Sequence, residues 1–156
     1  MHLLALFQWL AHSAVGQFMQ RSQWAFAIVE TIHLIALAAL GGTLLAVSLR
    51  AIGLLRGISS RSIARELLPV ILSALTAIVT TGILMVSEEA LKCYYNDAFR
   101  AKMIAFAVAL LISAPVYIAQ LRKANDQQPW WLRLGAALSL LSWLSVGIAG
   151  RTIGFL

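Results

Sequence analysis

The chain has 156 residues, of which 61% are hydrophobic and only 12% charged. A soluble domain carries roughly 25% charged residues, so the composition excludes an ordinary water-soluble fold and suits one domain, residues 1–156, of four membrane spans of about 20–25 residues each. The net charge of +6 reads as Lys and Arg held in cytoplasmic loops and not as nucleic-acid binding, because no basic patch interleaves with exposed aromatics.

Residues 2–20 form an amphipathic pattern. Leu3, Leu4, Phe7, Leu10, Ala11, Ala14, Val15 and Phe18 fall on one helical side. His2, Trp9, Ser13, Gly16, Gln17 and Gln20 fall on the other, with Gln8 and His12 at its edge. The polar side is too continuous for lipid, so an interfacial helix is expected here rather than a span. No Lys or Arg precedes the apolar part of the N-terminus, so it is expected to be retained rather than cleaved as a signal peptide. Arg21-Ser22-Gln23 reads as a turn and Trp24 as an interfacial anchor.

The first span is expected at about 25–49, with Gly41 and Gly42 allowing close helix contact. Residues 50–66 hold Arg50, Arg56, Arg61 and Arg65 among Gly and Ser, a basic flexible loop. The second span is expected at about 67–86, with Pro69 in its first turn, where proline is tolerated. Ser73, Thr76 and Thr80 form a polar stripe expected to face the bundle, and Thr81-Gly82 follows. The polar connection 87–102 is expected to contain a short helix, with Asn96 or Asp97 capping the next span. Cys93 is the only cysteine, which rules out an intrachain disulfide and a Cys-based metal site. The third span is expected at about 103–121, kinked or ended by Pro115. The fourth runs at about 131–155, rich in Gly and Ser for tight packing. The class is therefore all-α, an integral membrane four-helix bundle with an N-terminal interfacial amphipathic helix.

Sidedness follows from charge. The loops at 50–66 and 122–133 hold seven cations: Arg50, Arg56, Arg61, Arg65, Arg122, Lys123 and Arg133. The other side has Arg21, Lys92, Arg100, Lys102 and Arg151, with the acids Glu30, Glu88, Glu89 and Asp97. The first set should be cytoplasmic. A bacterial inner membrane with both termini on the periplasmic side is the expected setting.

The chemistry-bearing stretch is Glu30-Thr-Ile-His33, two ionisable groups inside an apolar run. They are one helical turn apart and share a face. Glu30 lies roughly 9 Å past Trp24 and His33 about 4–5 Å deeper, at about 1.5 Å per residue. Thr81, Lys102 and Arg151 fall at a similar level of the other spans. Titratable groups in hydrocarbon are costly and face a protein interior or wet cavity. Glu30, His33, Thr81 and Arg151 are thus a candidate polar network.

Three chemistries suit it. A b-type haem takes His ligands between facing helices. His33 would ligate, and His12 would be level with it in an antiparallel hairpin turning at residues 22–23. Arg151 or Lys102 would hold the propionates, and electrons would pass to a quinone or a periplasmic redox partner. A copper or zinc ion could instead sit on His33 and Glu30, with His12 or Glu88 in support. A proton or small-solute path could use Glu30, His33 and the Ser73/Thr76/Thr80 stripe. With no cofactor at all, Glu30, His33 and Arg151 would be a structural network in a non-catalytic membrane subunit or homo-oligomer. No Ser or Cys stands in a hydrolase-like arrangement.

Glu30-x-x-His33 with Gly41-Gly42 and the Arg-rich turn, then Thr81-Gly82, Asn96-x-x-Phe99-x-x-Lys102 and Gly150-Arg151, together resemble a family of small bacterial inner-membrane proteins catalogued as a domain of unknown function. The likeness covers residues 24–156. More distantly the layout is similar to the membrane part of copper-resistance protein D and to cytochrome b561-like bundles, which implies haem or copper. Cytochrome b561-like proteins use several intramembrane His pairs, which this chain lacks. The charge bias predicts that Ile58→Cys, in a Cys93→Ala background, stays unlabelled by an impermeant thiol reagent in intact cells and reacts once the membrane is opened. Labelling in intact cells would reverse the sidedness.

Overall fold

The computed structural model describes the backbone of residues 2–55, 57, 59–122 and 128–152, and the side chains of 4–148 among them. In chain order the helices are α1 (His2–His12), α2 (Ala14–Arg21), α3 (Gln23–Ile52), α4 (Ser60–Glu88), α5 (Ala90–Tyr95), α6 (Asp97–Arg122) and α7 (Trp130–Thr152). No strand occurs among the described residues. Four helices, α3, α4, α6 and α7, are long and apolar enough to cross a membrane, and the chain is a multi-pass membrane protein. They form a ring in which α3 touches α4 and α7, and α6 touches the same two.

Lipid is as apolar as leucine, so helices associate in it by close packing rather than by hiding apolar surface. The core accordingly is narrow: Ala36, Leu40 and Leu44 of α3 against Ala74 and Ile78 of α4, flanked by Phe106 and Trp143. Large side chains such as Ile35, Leu111, Leu141 and Ile148 stay exposed, as a lipid-facing surface requires.

The spans are longer than the apolar runs alone indicate. Gly53 ends α3 at φ +100°, a left-handed conformation that an L side chain rarely takes, and its N–H bonds the Arg50 carbonyl at 3.1 Å. Ser59 caps α4 by accepting from Ser62 N–H at 3.0 Å. Much of the expected 50–66 loop is therefore helical. Pro69 lies well inside α4 and not in its first turn. Pro115 does not end α6, which continues to Arg122. Asn96 caps α6, its Oδ1 accepting from Ala98 N–H at 2.8 Å and Phe99 N–H at 3.2 Å. The part of the expected fourth span beyond Thr152 lies outside the described residues.

The segment 2–20 is two helices, not one. Ser13 adopts an extended conformation (φ −65°, ψ 156°), donates to the Leu10 carbonyl at 2.7 Å and caps α2 by accepting from Gly16 N–H at 3.0 Å. The break lets α1 lie on α5, where the Phe7 ring meets Tyr94 at 5.5 Å and Phe99 at 6.5 Å. It lets α2 lie on α4. The buried residues of α2 are Gly16 and Met19, while Val15 and Phe18 of its apolar side are exposed. The reason is steric: a Cβ on Gly16 would fall 2.9 Å from the Ala11 carbonyl oxygen and 3.1 Å from that of Ser87. Only a bare Cα allows that approach, and the apolar side is left for the membrane interface.

Gly41 and Gly42 do the opposite of what their sequence suggests. Both are exposed, and a Cβ at either would meet nothing within 4 Å. Gly16→Val should therefore lower stability in detergent by about 1–3 kcal/mol through overpacking. Gly41→Ala should cost nothing, since alanine favours helix over glycine. Unfolding followed by circular dichroism checks both.

Candidate functional site

The end of the bundle that carries α5 holds the polar site. His33 is half-buried on α3, Thr81 is buried on α4, Lys102 is half-buried on α6, and Glu30 is exposed. The His33 ring nitrogen Nδ1 lies 2.7 Å from Thr81 Oγ1. Thr81 Oγ1 in turn donates to the Ala77 carbonyl at 2.5 Å. A carbonyl can only accept, so the threonine proton is spent there. With the threonine proton on that carbonyl, a neutral imidazole is assigned as the donor, with its hydrogen on Nδ1. That leaves Nε2 with an unshared electron pair. Gly82 borders the ring as well: a Cβ there would sit 3.7 Å from His33 Cε1.

Charges of both signs surround this ring. The Lys102 ammonium and the Glu30 carboxylate both act on it electrostatically, and Glu30 also acts on Glu88. On α5, burial pushes the Cys93 thiol above its usual range and the Glu89 carboxylate adds to the shift. Cys93 is thus a neutral thiol at pH 7 and not a ready thiolate donor. The ion pairs Lys92–Glu89 (3.0 Å) and Arg100–Asp97 (3.4 Å) are exposed and contribute little to stability.

The other residues singled out from sequence fall as follows. His12 is exposed at the end of α1, its Nδ1–H donating to the Gln8 carbonyl at 2.8 Å. The hairpin that would set it level with His33 does not form, because α1 packs on α5 and α2 rather than along α3. Arg151 lies on the last turn of α7, and its side chain is outside the described ones. Among the described residues no three His, Cys, Asp or Glu side chains gather as a metal shell.

The Ser73, Thr76 and Thr80 stripe does not face the bundle. All three residues are exposed. Each hydroxyl donates to its own helix, to Val70 (3.1 Å), Leu72 (2.8 Å) and Thr76 (2.8 Å) carbonyls respectively. A hydroxyl that can bond its own backbone is satisfied in lipid, so it need not turn inward. An ion path has no support from that stripe.

Sequence reasoning missed a second polar cluster nearer the other end. Ser113 Oγ of α6 donates to the Ala109 carbonyl at 2.6 Å, lies 2.7 Å from Ser139 Oγ of α7, and accepts from Trp143 Nε1–H at 2.8 Å. Tyr117 donates to the Ala64 carbonyl of α4. The available signal was a Trp and a Gln, Trp143 and Gln120, each inside an otherwise apolar span.

The chain belongs to a family of unknown function (DUF6644), whose model matches residues 6–156. No curated protein and no solved structure matches it.

If His33 and Thr81 are bonded as described, a double-mutant cycle of His33→Leu and Thr81→Val should show coupling of about 0.6 kcal/mol, with about 1.7 kcal/mol as the upper bound for such pairs in membranes. Unfolding in mixed detergent would measure it. Strict additivity would mean that the bond is not formed.

Proposed function

We propose that this protein is a haem-binding redox protein of the bacterial inner membrane, with His33 as the residue that would hold the haem iron. The observation that carries the reading is the 2.7 Å contact between His33 Nδ1 and Thr81 Oγ1, which would fix the tautomer of the ring. A ligating imidazole usually gives its second N–H to a protein acceptor, which orients the ring and raises its basicity. Thr81 Oγ1 is that acceptor here. Nε2 is then the nitrogen left to donate an electron pair. Lys102 supplies a cation at the same end of the bundle, suited to a propionate carboxylate. The distant resemblance to cytochrome b561-like bundles supports the same chemistry.

Haem, when bound, would supply one-electron chemistry; the chain's own residues would orient the ligand and balance charge. His12 lies on a helix that packs on α5 and α2, so His33 would hold the group alone or together with another copy of the chain. A quinone or a periplasmic protein would be the electron partner, with the α5 end facing the periplasm.

The His33–Thr81 bond also favours a second reading. It ties α3 to α4 across the bundle, which is what polar side chains in membrane helices do as structural contacts. In that case the protein is a non-catalytic membrane subunit. An optical spectrum of the gently purified protein, air-oxidised and then dithionite-reduced, separates the two. The haem reading expects a Soret band that sharpens on reduction, disappears in His33→Ala and survives in His12→Ala. A colourless, metal-free protein from haem-replete cells would leave the structural reading alone.

A further inference from the structure

Gln120 of α6 is fully buried, and neither its Nε2 nor its Oε1 has a hydrogen-bond partner. It borders a cavity of about 10 Å³ whose other polar walls are Ser48 of α3, Ser113 and Tyr117 of α6, and Ser139 of α7. Buried amides are rarely left unpaired, because water lost on burial must be replaced. A cavity of about 10–15 Å³ with two to four polar partners is what one water molecule needs.

The bonding capacity of the walls fits such a guest. Ser113 Oγ gives its proton to the Ala109 carbonyl and accepts from Trp143 Nε1–H. Its remaining lone pair faces Ser139 Oγ, 2.7 Å away, so Ser139 is the donor of that pair. Ser113 is then saturated, and Tyr117 has spent its proton on Ala64. Ser139 keeps two acceptor sites. Gln120 keeps two N–H donors and a carbonyl acceptor. A molecule that both donates and accepts would join them, and water does both.

We propose that this cavity is a hydration site, in which one buried water bridges the Gln120 carboxamide to Ser139 and lies against Ser48, joining α3, α6 and α7. The site is separate from His33. His33 and Thr81 are not among the residues that line it.

Two measurements on the full-length protein in detergent test this. The first is water-to-amide cross-relaxation by NMR, with the glutamine side chains nitrogen-labelled and the Gln120 signal assigned by its loss in Gln120→Met. The expected result is a cross-peak from water to the Gln120 side-chain N–H, weakened in Ser139→Ala. Its absence would overturn the proposal. The second is the thermal midpoint of Gln120→Met, an apolar replacement of similar shape. A hydrated Gln120 predicts a fall of several degrees, because the water loses its anchor. A dry Gln120 predicts no change or a rise, because two unpaired polar groups are removed, and either result would contradict the proposal.

Discussion

A hydroxyl or imidazole inside a bilayer has no water to bond, so each proton it carries needs an acceptor within the protein. This constraint decides the polar architecture of the bundle. Threonine and serine meet it locally, by donating to the carbonyl one turn back. Ser73, Thr76, Thr80 and Thr81 all do so. What separates Thr81 from the others is rotation: it faces α3, and its remaining lone pair receives the His33 N–H. A Thr81 proton held by the α4 backbone would set the tautomer of a histidine on α3. Every chemical argument about His33 depends on that relay, because it leaves Nε2 as the nitrogen with an unshared pair.

Close packing is the second constraint, and it acts through small residues. Gly16 lets α2 turn tightly against the end of α1, where a Cβ would fall 2.5 Å from the Leu10 carbonyl oxygen, and sit close to Ser87 of α4. Ala36, Ala74 and Ala109 are buried where the spans meet. Glycine alone does not define an interface, as the exposed Gly41-Gly42 pair shows. The N-terminal helices and α5 close the end of the bundle where His33 sits. Phe7, Tyr94 and Phe99 hold α1 there by ring-edge contacts, which contribute beyond their buried area.

The existence of the spans, the short helix before α6 and the Asn96 cap were legible in the sequence, because apolar run length and capping chemistry are local properties. Rotation was not. A helix such as α3 is apolar all round, so its sequence periodicity does not say which side meets lipid. For the same reason the Ser73/Thr76/Thr80 stripe looked like a bundle face: back-bonded hydroxyls are equally content on either side. The break at Ser13 was hidden because its neighbours continue an unbroken amphipathic pattern. It is visible only when α1 and α2 are seen to meet different helices. Of the site, the shared depth of His33, Thr81 and Lys102 followed from counting residues. The pairing of His33 with Thr81 in place of an alignment with His12 required the third dimension.

The central claim is that Thr81 holds His33 as the Nδ1–H tautomer. Nitrogen NMR of the histidine-labelled protein measures this directly, with the His33 signals assigned by their loss in His33→Ala. The account predicts a protonated, pyrrole-like Nδ1 and a bare, pyridine-like Nε2, or a metal-shifted Nε2 when a cofactor is bound. It also predicts that Thr81→Val abolishes the preference. A protonated Nε2 with a bare Nδ1 in the wild-type protein would contradict it.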